Sequence, residues 1–474
     1  MTQTTSSDPP ALLATSGTFS DLGVDHGLVK ALREVGIEHP FPIQDMAIPI
    51  ALAGTDLIGQ ARTGTGKTLA FGLPLLQHVL LADDEDFDEL EHHDIPQALV
   101  LTPTRELALQ ITVELKNANK YRGARLLTVY GGVGYDDQVD TLKEGVDIVI
   151  GTPGRILDLA DSHRLDLSGV VHLVLDEADE MLDMGFLPDV ERIVAKTSPD
   201  RQALLFSATM PGPIVTLARS IMRQPVRVRA EGHDATLMVP ETTQFVYQTH
   251  NLDKPEILGK LLQSPNVTKI MVFTRTKRSA QRLADELVDR GFKAVAIHGD
   301  LTQQTRERSL RRFRKGDAIA LVATDVAARG IDVAGVSHVI NYECPDDEKT
   351  YVHRIGRTGR AGASGVAVTL IDWADVTRWK VINKALDLPF EDIIEAYSTT
   401  PQLLADLCIP DDVAGRIAAP PRESDSEDAP RHERRRRRGG GTGGGKDQEG
   451  ATQKDDAQPK RTRRRTKNGQ PVQG

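Results

Sequence analysis

The sequence predicts an α/β protein with two tandem parallel-sheet domains and a disordered basic C-terminal tail. Three observations support this prediction. Short apolar runs alternate with helical patterns in two separate stretches of the chain, which is typical of βαβ units. A break around Arg229–Glu241 separates the two stretches. After Tyr397 the pattern fades, and residues 420–474 hold too few apolar side chains to offset the entropy of ordering.

These observations give the domain boundaries. We expect a disordered N-terminus at residues 1–17, a first domain at 18–228, a linker at 229–243, a second domain at 244–397 and a mostly disordered Arg/Gly-rich tail at 398–474. The predicted strands of the first domain are Asp56–Gly59, Ala98–Thr102, Leu126–Tyr130, Asp147–Ile150, Val171–Leu175 and Ala203–Ser207. Those of the second domain are Lys269–Thr274, Lys293–His298, Ile319–Thr324, His338–Asn341 and Ala367–Leu370.

Composition narrows the class of protein. The 474 residues include only two cysteines, Cys344 and Cys408, which form neither a disulfide framework nor a cysteine metal cluster, so a reducing compartment is expected. The first residues lack the basic and apolar regions of a signal peptide, and no apolar run is long enough to span a membrane. We therefore expect a soluble, cytoplasmic protein.

Charge is divided unevenly along the chain. The formal net charge is −10, but residues 416–474 hold 16 Lys and Arg against 9 Asp and Glu, a net +7. The rest of the chain then holds 42 against 59, a net −17. This division predicts that a polyanion is attracted to one end of the chain; the alternative is a solvated tail without function. The acidic segment Asp83–Asp94 is interpreted as an exposed loop. The spacing of its acidic and histidine residues does not support a metal site.

A phosphate-binding turn is predicted at residues 61–68. The turn follows the apolar run Asp56–Gly59 and precedes a helical pattern, so backbone N–H groups and a helix N-terminus would point at phosphate oxygens. Lys67 would reach the terminal phosphates, and the Thr68 hydroxyl would bind Mg²⁺. The residues of the turn are Ala61, Arg62, Thr63, Gly64, Thr65, Gly66, Lys67 and Thr68.

Two carboxylates complete this site about a hundred residues later. Asp176 and Glu177 end the apolar run Val171–Leu175, a buried strand by its pattern. Asp176 would supply the second contact to Mg²⁺, and Glu177 would polarise a water molecule. A Gly-Lys-Thr turn alone is compatible with a chance loop. Together with the strand-terminal Asp-Glu pair, it predicts binding of a nucleoside triphosphate.

Three arginines in the second domain are candidates for contacting that nucleotide. Arg354, Arg357 and Arg360 are spaced by three residues and would share roughly one face of a helix. On a domain without its own phosphate loop, Arg357 and Arg360 suit the role of arginine fingers for a nucleotide held by the other domain. The alternative is a solvated helix face with surface ion pairs.

The sequence Asp176-Glu177-Ala178-Asp179 gives the DEAD-box RNA helicases their name, and residues 17–397 resemble that family's motif series in order. Ala61, where the common phosphate loop has Gly, resembles the form found in superfamily-two helicases. The resemblance implies two RecA-like domains that bind ATP and Mg²⁺. It also implies that RNA-stimulated ATP hydrolysis drives local unwinding or remodelling of short RNA duplexes and ribonucleoprotein complexes. A finer similarity is to the bacterial RhlE-type subgroup.

The resemblance also implies roles for residues around the nucleotide. Gln44 would bond the adenine edge and Phe19 would pack on the base, while Gly330 and Asp332 would lie near the γ-phosphate and the ribose. Ser207 and Thr209 would hydrogen-bond toward Asp179. The residues implied to couple hydrolysis to unwinding are Ser207, Thr209, Asp179 and His353.

The remaining motif residues are implied to follow an RNA strand. They are Pro103, Thr104, Arg105, Gly132, Thr152, Pro153, Gly154 and Arg155 in the first domain, and Arg275, Gly299, Gln303, Arg306 and Thr324 in the second. Such loops expose N–H groups, hydroxyls and charge to phosphates and 2′-OH groups. Aromatic residues are 4% of the chain and nearly absent from these loops, so we expect sequence-independent binding of the RNA backbone rather than base stacking.

Other functions remain open at this stage. The first alternative is a DNA helicase or translocase of the same superfamily, and the second is a non-catalytic RNA clamp that uses ATP only to grip. The third alternative is a kinase, which would not need the arginines of the second domain. We expect a monomer without a membrane partner. The sequence does not decide between ribosome assembly, RNA decay and cold adaptation, and it identifies neither the RNA nor the protein partners.

Overall fold

The computed structural model describes residues 17–61, 64–90, 92–230, 242–331, 333–359 and 364–417. These described residues form one compact unit that contains both halves of the protein. Several predicted features lie outside the described residues: the N-terminus before Gly17, Arg62, Thr63, Asp332, Arg360, most of the predicted linker, and the Arg and Gly runs beyond Ile417.

Each half contains a sheet of seven parallel strands. The strands of the first sheet are β1 Leu57–Gln60, β2 Ala98–Leu101, β3 Leu126–Val129, β4 Ile148–Gly151, β5 His172–Leu175, β6 Gln202–Ser207 and β7 Val226–Arg229. Their order across the sheet is β3-β4-β2-β5-β6-β1-β7. All pairings in this sheet are parallel.

The second sheet repeats this topology. Its strands are β8 Thr242–Gln248, β9 Ile270–Thr274, β10 Ala294–Ile297, β11 Ala320–Thr324, β12 His338–Asn341, β13 Gly365–Ile371 and β14 Ile394–Glu395, again all parallel. The order is β10-β11-β9-β12-β13-β8-β14. Counted within its own sheet, each order is 3-4-2-5-6-1-7, so the predicted pair of parallel-sheet domains is confirmed.

Helices connect the strands and cover both faces of each sheet. They are α1 His26–Glu34, α2 Pro42–Leu52, α3 Lys67–His78, α4 Arg105–Ala118, α5 Asp136–Lys143, α6 Pro153–Asp161, α7 Ala178–Asp183, α8 Leu187–Val194, α9 Gly212–Ile221, α10 Lys254–Leu261, α11 Lys277–Asp289, α12 Gln303–Lys315, α13 Asp325–Ala328, α14 Glu348–Ile355, α15 Val376–Ala385 and α16 Pro401–Asp406. Buried apolar clusters lie on the two faces of the first sheet and on the two faces of the second. Among the described helices, none is long and apolar enough to cross a bilayer.

Both strand topologies bring the chemical motifs to one edge of each sheet. In parallel strands the carboxyl ends meet at the same edge, where loops from neighbouring strands converge. In the first sheet this edge receives the turn after β1, Pro103–Arg105 after β2, Thr152–Arg155 after β4, Asp176–Asp179 after β5 and Ser207–Thr209 after β6.

Sequence patterns missed three strands. Strand β7 reads Val-Arg-Val-Arg, β8 mixes polar and apolar residues, and β14 has two residues. Strands β7 and β14 lie at sheet edges, where few apolar side chains are needed, and β8 lies between β13 and the short β14. The predicted linker therefore begins at the end of β7 and overlaps β8.

The predicted start of the tail at residue 398 was wrong. Residues 398–417 pack against the second half of the protein, where Leu403 and Leu407 are buried. The Ser398 hydroxyl donates to Asp253, the Gly415 N–H donates to Glu256, and the Ile417 N–H donates to the carbonyl of Arg290. These contacts make the segment part of the folded unit.

Candidate functional site

The turn after β1 ends at a helix N-terminus that faces a cavity. Gly66 caps α3 with φ of +86°, a left-handed conformation that favours glycine. A Cβ on Gly66 would lie 2.5 Å from Nε2 of Gln44, so the close approach also requires glycine. The first N–H groups of α3 have no partner inside the helix and are available to an anion.

This inner cavity lies between the two halves of the protein and has a volume of about 190 Å³. Both halves contribute to its wall. Its lining residues are Phe41, Gly64, Gly66, Lys67, Thr68, Leu107, Gln110, Glu114, Asp176 and Glu177 from the first half, and Gly330, Ile331 and Arg357 from the second.

Lys67 is a buried cation at the centre of the inner cavity. The residue is 6% exposed, and its Nζ lies 4.0 Å from Oδ1 of Asp176, beyond hydrogen-bond distance. Within the described part of the chain, Nζ has no hydrogen-bond partner. A buried, unsatisfied ammonium is costly unless an anion completes its environment. The position therefore fits a phosphate group.

Asp176 and Glu177 lie at the end of β5 and face the same cavity. Burial raises the pKa of Asp176 and, against the attraction of Lys67, raises the pKa of Glu177 to about 7. Glu177 has φ of 51° and ψ of 52°, an uncommon conformation for a residue with a side chain. A carboxyl group with a pKa near neutrality suits a general base. Thr68, next to Lys67, adds a hydroxyl to the oxygen ligands available for Mg²⁺.

Arg357 reaches the inner cavity from the second half. The residue is 8% exposed, and its Nη1 donates a 3.0 Å hydrogen bond to the carbonyl of Ile331, which holds the guanidinium beside Gly330. Its positive charge acts on the carboxyl group of Glu177. Arg354 instead forms a buried bidentate pair with Asp325 in its own half, so it does not share the cavity. The prediction for Arg360 lies outside the described residues.

Asp179 connects the end of β5 to the end of β6. The Thr209 N–H and hydroxyl both donate to Oδ2 of Asp179, each at 2.8 Å. The Ser207 hydroxyl accepts from the Asp179 N–H and donates to the carbonyl of Thr209. These hydrogen bonds tie the two strand ends together.

Glu180 forms the ion pairs that join the two halves beside this network. Its Oε1 lies 3.0 Å from Nδ1 of His353, and its Oε2 lies 2.7 Å from Nε of Arg329. His353 thus contacts Glu180 and not Asp179. The sequence motif drew attention to Asp179 only, because the role of Glu180 depends on a partner 173 residues away in the chain.

The two predicted base-binding residues contact other parts of the first half. Phe19 is 1% exposed and packs in the core of the first half. The Gln44 amide donates to the carbonyl of Gly66 and accepts from the N–H of Phe41, so it holds the phosphate turn. Phe41, which is 44% exposed, is the ring that faces solvent.

A second, outer cavity of about 490 Å³ continues from the inner one. Phe41, Gly66 and Glu114 line both cavities. The described residues that line the outer cavity are Gly36, Ile37, Glu38, His39, Phe41, Gln44, Gly66, Leu69 and Glu114. Its size and its aromatic wall are suitable for a nucleobase.

Predicted strand-tracking residues line a third cavity, the groove, of about 430 Å³. Its lining residues are Pro103, Thr104, Arg105, Glu106, Gly131, Thr152, Gly154, Arg155, Asp158, Met184, Phe186, Arg306 and Val326. Two contacts cross between the halves here: Arg105 donates to Gln303, and Arg306 pairs with Glu106 at 3.1 Å. Thr104 caps α4 by accepting from the Leu107 N–H, and Pro153 starts α6, which fixes these loops.

Two predicted phosphate-binding arginines have internal partners. Arg155 donates to the carbonyls of Val133 and Gly134 and stacks on Tyr135 at 4.0 Å. Arg275 pairs with Asp375 at 2.9 Å, so its charge is neutralised within the second half. Both arginines therefore position loops in this structure and do not present a free guanidinium.

The other predicted residues lie near the groove or at strand ends. Gly132 lies under the Arg105 guanidinium, where a Cβ would overlap it. Thr324 ends β11 and is buried, and Gly299 is exposed in the loop after β10. Sequence reasoning did not select Glu106, Glu114, Met184 or Phe186. For Glu114 a signal existed, since positions 107, 110 and 114 share one face of α4.

Comparison with known proteins identifies the same two halves. The DEAD/DEAH box helicase model matches residues 41–217, and the helicase conserved C-terminal domain model matches residues 253–362. The chain is 45% identical to the ATP-dependent RNA helicase CshA of Listeria monocytogenes over 366 residues, 77% of this chain and 68% of that protein. It is also 45% identical to the DEAD-box ATP-dependent RNA helicase CshA of Bacillus anthracis over 75% of this chain, but only 65% of that protein.

Solved structures also match across both halves of the chain. S. cerevisiae Dbp5 bound to RNA and ADP BeF3 matches with a TM-score of 0.70 and 28% identity over 82% of this chain and 99% of that chain. Mss116p bound to ssRNA and AMP-PNP matches with a TM-score of 0.70 and 26% identity over 84% of this chain and 83% of that chain. The expected RecA-like fold is confirmed. The RhlE-type expectation is not confirmed, since the curated relatives named above are CshA proteins.

Proposed function

The chain belongs to the DEAD/DEAH box helicase family, and we propose that it is an ATP-dependent RNA helicase whose halves close over ATP and a single RNA strand. The observation that best supports this proposal is the composition of the inner cavity. Lys67, Asp176 and Glu177 from the first half and Arg357 from the second line one cavity. Each half thus places one cation beside a buried pair of carboxylates. This arrangement suits a triphosphate that is hydrolysed only when the two halves are in contact.

ATP binding is assigned to the first half. The α3 N-terminus and Lys67 would bind the phosphates, and Phe41 in the outer cavity would pack on the base. Thr68 and Asp176 would hold Mg²⁺, which neutralises phosphate charge during hydrolysis. In the ranges that the structure describes, no cluster of three or more acidic, His or Cys side chains could hold a metal. That finding is compatible with Mg²⁺, which is commonly bound by one or two carboxylates together with substrate phosphates.

Hydrolysis would require Glu177 and Arg357 together. The raised pKa of Glu177 allows it to accept a proton from the attacking water at neutral pH. Arg357 would stabilise the charge that develops on the γ-phosphate, a contribution that only the closed arrangement supplies.

RNA binding is assigned to the groove. Both solved neighbours named above contain RNA, and the groove brings polar loops of the first half next to Arg306 of the second. Its N–H groups and hydroxyls, together with the Arg105 guanidinium, suit the sugar–phosphate backbone. Because the groove and the inner cavity are both formed by the two halves, each ligand favours closure and each raises the affinity for the other.

The test is RNA-dependent ATP turnover by the full chain. We expect RNA to stimulate phosphate release and ATP to drive separation of a short RNA duplex, while Lys67→Ala abolishes both. DNA of the same sequence should stimulate less. Stimulation by DNA equal to that by RNA would favour the DNA helicase alternative, and single-turnover hydrolysis would favour the clamp.

A cytoplasmic location, a monomeric state and a role in ribosome assembly or RNA decay are further proposals that rest on the sequence.

A further inference from the structure

Helix α4 presents one face to the nucleotide cavities. Leu107, Gln110 and Glu114 are spaced by three and four residues, so they lie on the same side of the helix, and all three line the inner cavity. Leu107 packs where Gly330 of the second half approaches. The polar residues Gln110 and Glu114 follow along the same face and are half-buried.

Glu114 lies where the two cavities join. Of the ten described first-half residues around the inner cavity, Phe41, Gly66 and Glu114 also line the outer cavity. A nucleoside triphosphate has its phosphates at one end, its base at the other and its ribose between them. With phosphates at Lys67 and the base at Phe41, the ribose falls at the junction beside Glu114.

The chemistry of Glu114 agrees with that location. An ionised carboxylate accepts hydrogen bonds and repels phosphate, so among the three parts of the nucleotide it suits the ribose hydroxyls, which are donors. The Gln110 amide donates a 2.9 Å hydrogen bond to Oε1 of Glu114 from one helical turn away. This bond restricts the orientations of the carboxylate.

We propose that Glu114 accepts a hydrogen bond from a ribose hydroxyl and selects against nucleoside triphosphates that lack this hydroxyl, with Gln110 as the positioning residue. The inference depends on the proposed ATP site. A hydrogen bond to a charged acceptor changes binding by about 10-fold or more, so its loss is measurable.

The experiment compares ATP with 2′-deoxy-ATP and 3′-deoxy-ATP. Michaelis constants and kcat are measured with saturating RNA for the wild-type chain, Glu114→Gln and Glu114→Ala. Glu191→Gln, on the exposed face of α8, is the matched control. We expect wild type and Glu191→Gln to prefer ATP over one deoxy analogue by about 10-fold in KM. In Glu114→Ala the KM for ATP should rise to that of the analogue, with kcat changed little.

Each outcome decides the inference. If Glu114→Ala keeps the wild-type ratio of KM values between ATP and both analogues, Glu114 does not read the ribose. An equal rise in KM for ATP and both analogues would indicate a structural role only and would also overturn the inference. Loss of discrimination in Glu114→Ala but not in Glu191→Gln would support it. Absence of ATP turnover in the wild-type chain would instead refute the proposed function.

Discussion

His353 of the second half lies 3.0 Å from the Glu180 carboxylate of the first. Burial opposes a charge on His353, but the hydrogen bond and the negative charge of Glu180 raise the pKa of His353 overall, with Arg357 acting against them and Asp179 in their favour. Burial likewise opposes the charge on Glu180, while His353 and Arg329 lower its pKa. Closing the halves therefore favours a protonated His353 beside an ionised Glu180.

Closure should weaken at alkaline pH. A raised pKa in the closed state means that the contribution of His353 is complete below its ordinary value of 6.5 and is lost as pH rises through the closed-state pKa. Glu180 acts in the opposite sense, since its contribution is lost as pH falls through its lowered pKa. Fluorescence energy transfer between dyes on the two halves, with RNA and a non-hydrolysable ATP analogue, measures closure. An identical pH profile in His353→Gln would contradict this assignment.

A second prediction concerns the approach of Gly330 to the first half. Gly330 has φ of +66°, and a Cβ there would overlap the Thr104 hydroxyl. Gly330→Ala should therefore prevent full closure and lower RNA-stimulated ATP turnover by on the order of 10²-fold, because Arg357 no longer completes the cavity. ATP affinity without RNA is the control, since the first half holds the nucleotide. Full RNA-stimulated turnover in this variant would show that the halves do not need to approach so closely.

The third prediction separates binding from hydrolysis. Glu177→Gln preserves shape but removes the proton acceptor, so turnover should fall by about 10²- to 10⁴-fold while ATP and RNA remain bound. Filter binding of labelled RNA in the presence of ATP, alongside phosphate release, measures both. Turnover at the wild-type rate would exclude Glu177 as the base.

The fourth prediction uses the corrected boundary of the folded unit. Truncation after Ile417 removes the basic segment but keeps the packed residues 398–417, so we expect weaker RNA binding and a flatter dependence of log affinity on log salt. ATP turnover without RNA should not change. Truncation after Tyr397 should also lower the melting temperature, because Leu403 and Leu407 are lost from the core. An unchanged salt slope after Ile417 truncation would refute RNA binding by the tail.

The sequence could predict features that depend on local pattern. Buried strands such as β2 and β5 are short and mostly apolar; Asp176 and Glu177 follow β5 directly, and Lys67 follows the turn after β1. Parallel strands then bring their carboxyl ends together whatever the details of packing. This is why the two sheets and the first half's share of the inner cavity could be located without a structure.

Features that depend on tertiary contact could not be predicted in this way. The burial of Phe19 and the pairing of Arg275 with Asp375 follow from packing between distant segments. Glu180 and Glu106 acquire their partners only across the two halves. Strands β7 and β8 were missed because pairing with neighbouring strands, and not their own apolar content, holds them in place.

The central claim is that Arg357 of one half completes an ATP site held by the other. RNA-stimulated ATP turnover of Arg357→Ala and Arg357→Lys, measured together with ATP affinity and melting temperature, tests this claim most directly. We predict a loss on the order of 10³-fold in turnover with ATP affinity and melting temperature nearly unchanged, and little rescue by Lys, whose single ammonium lacks the planar fork. Turnover near the wild-type rate in Arg357→Ala would contradict the account.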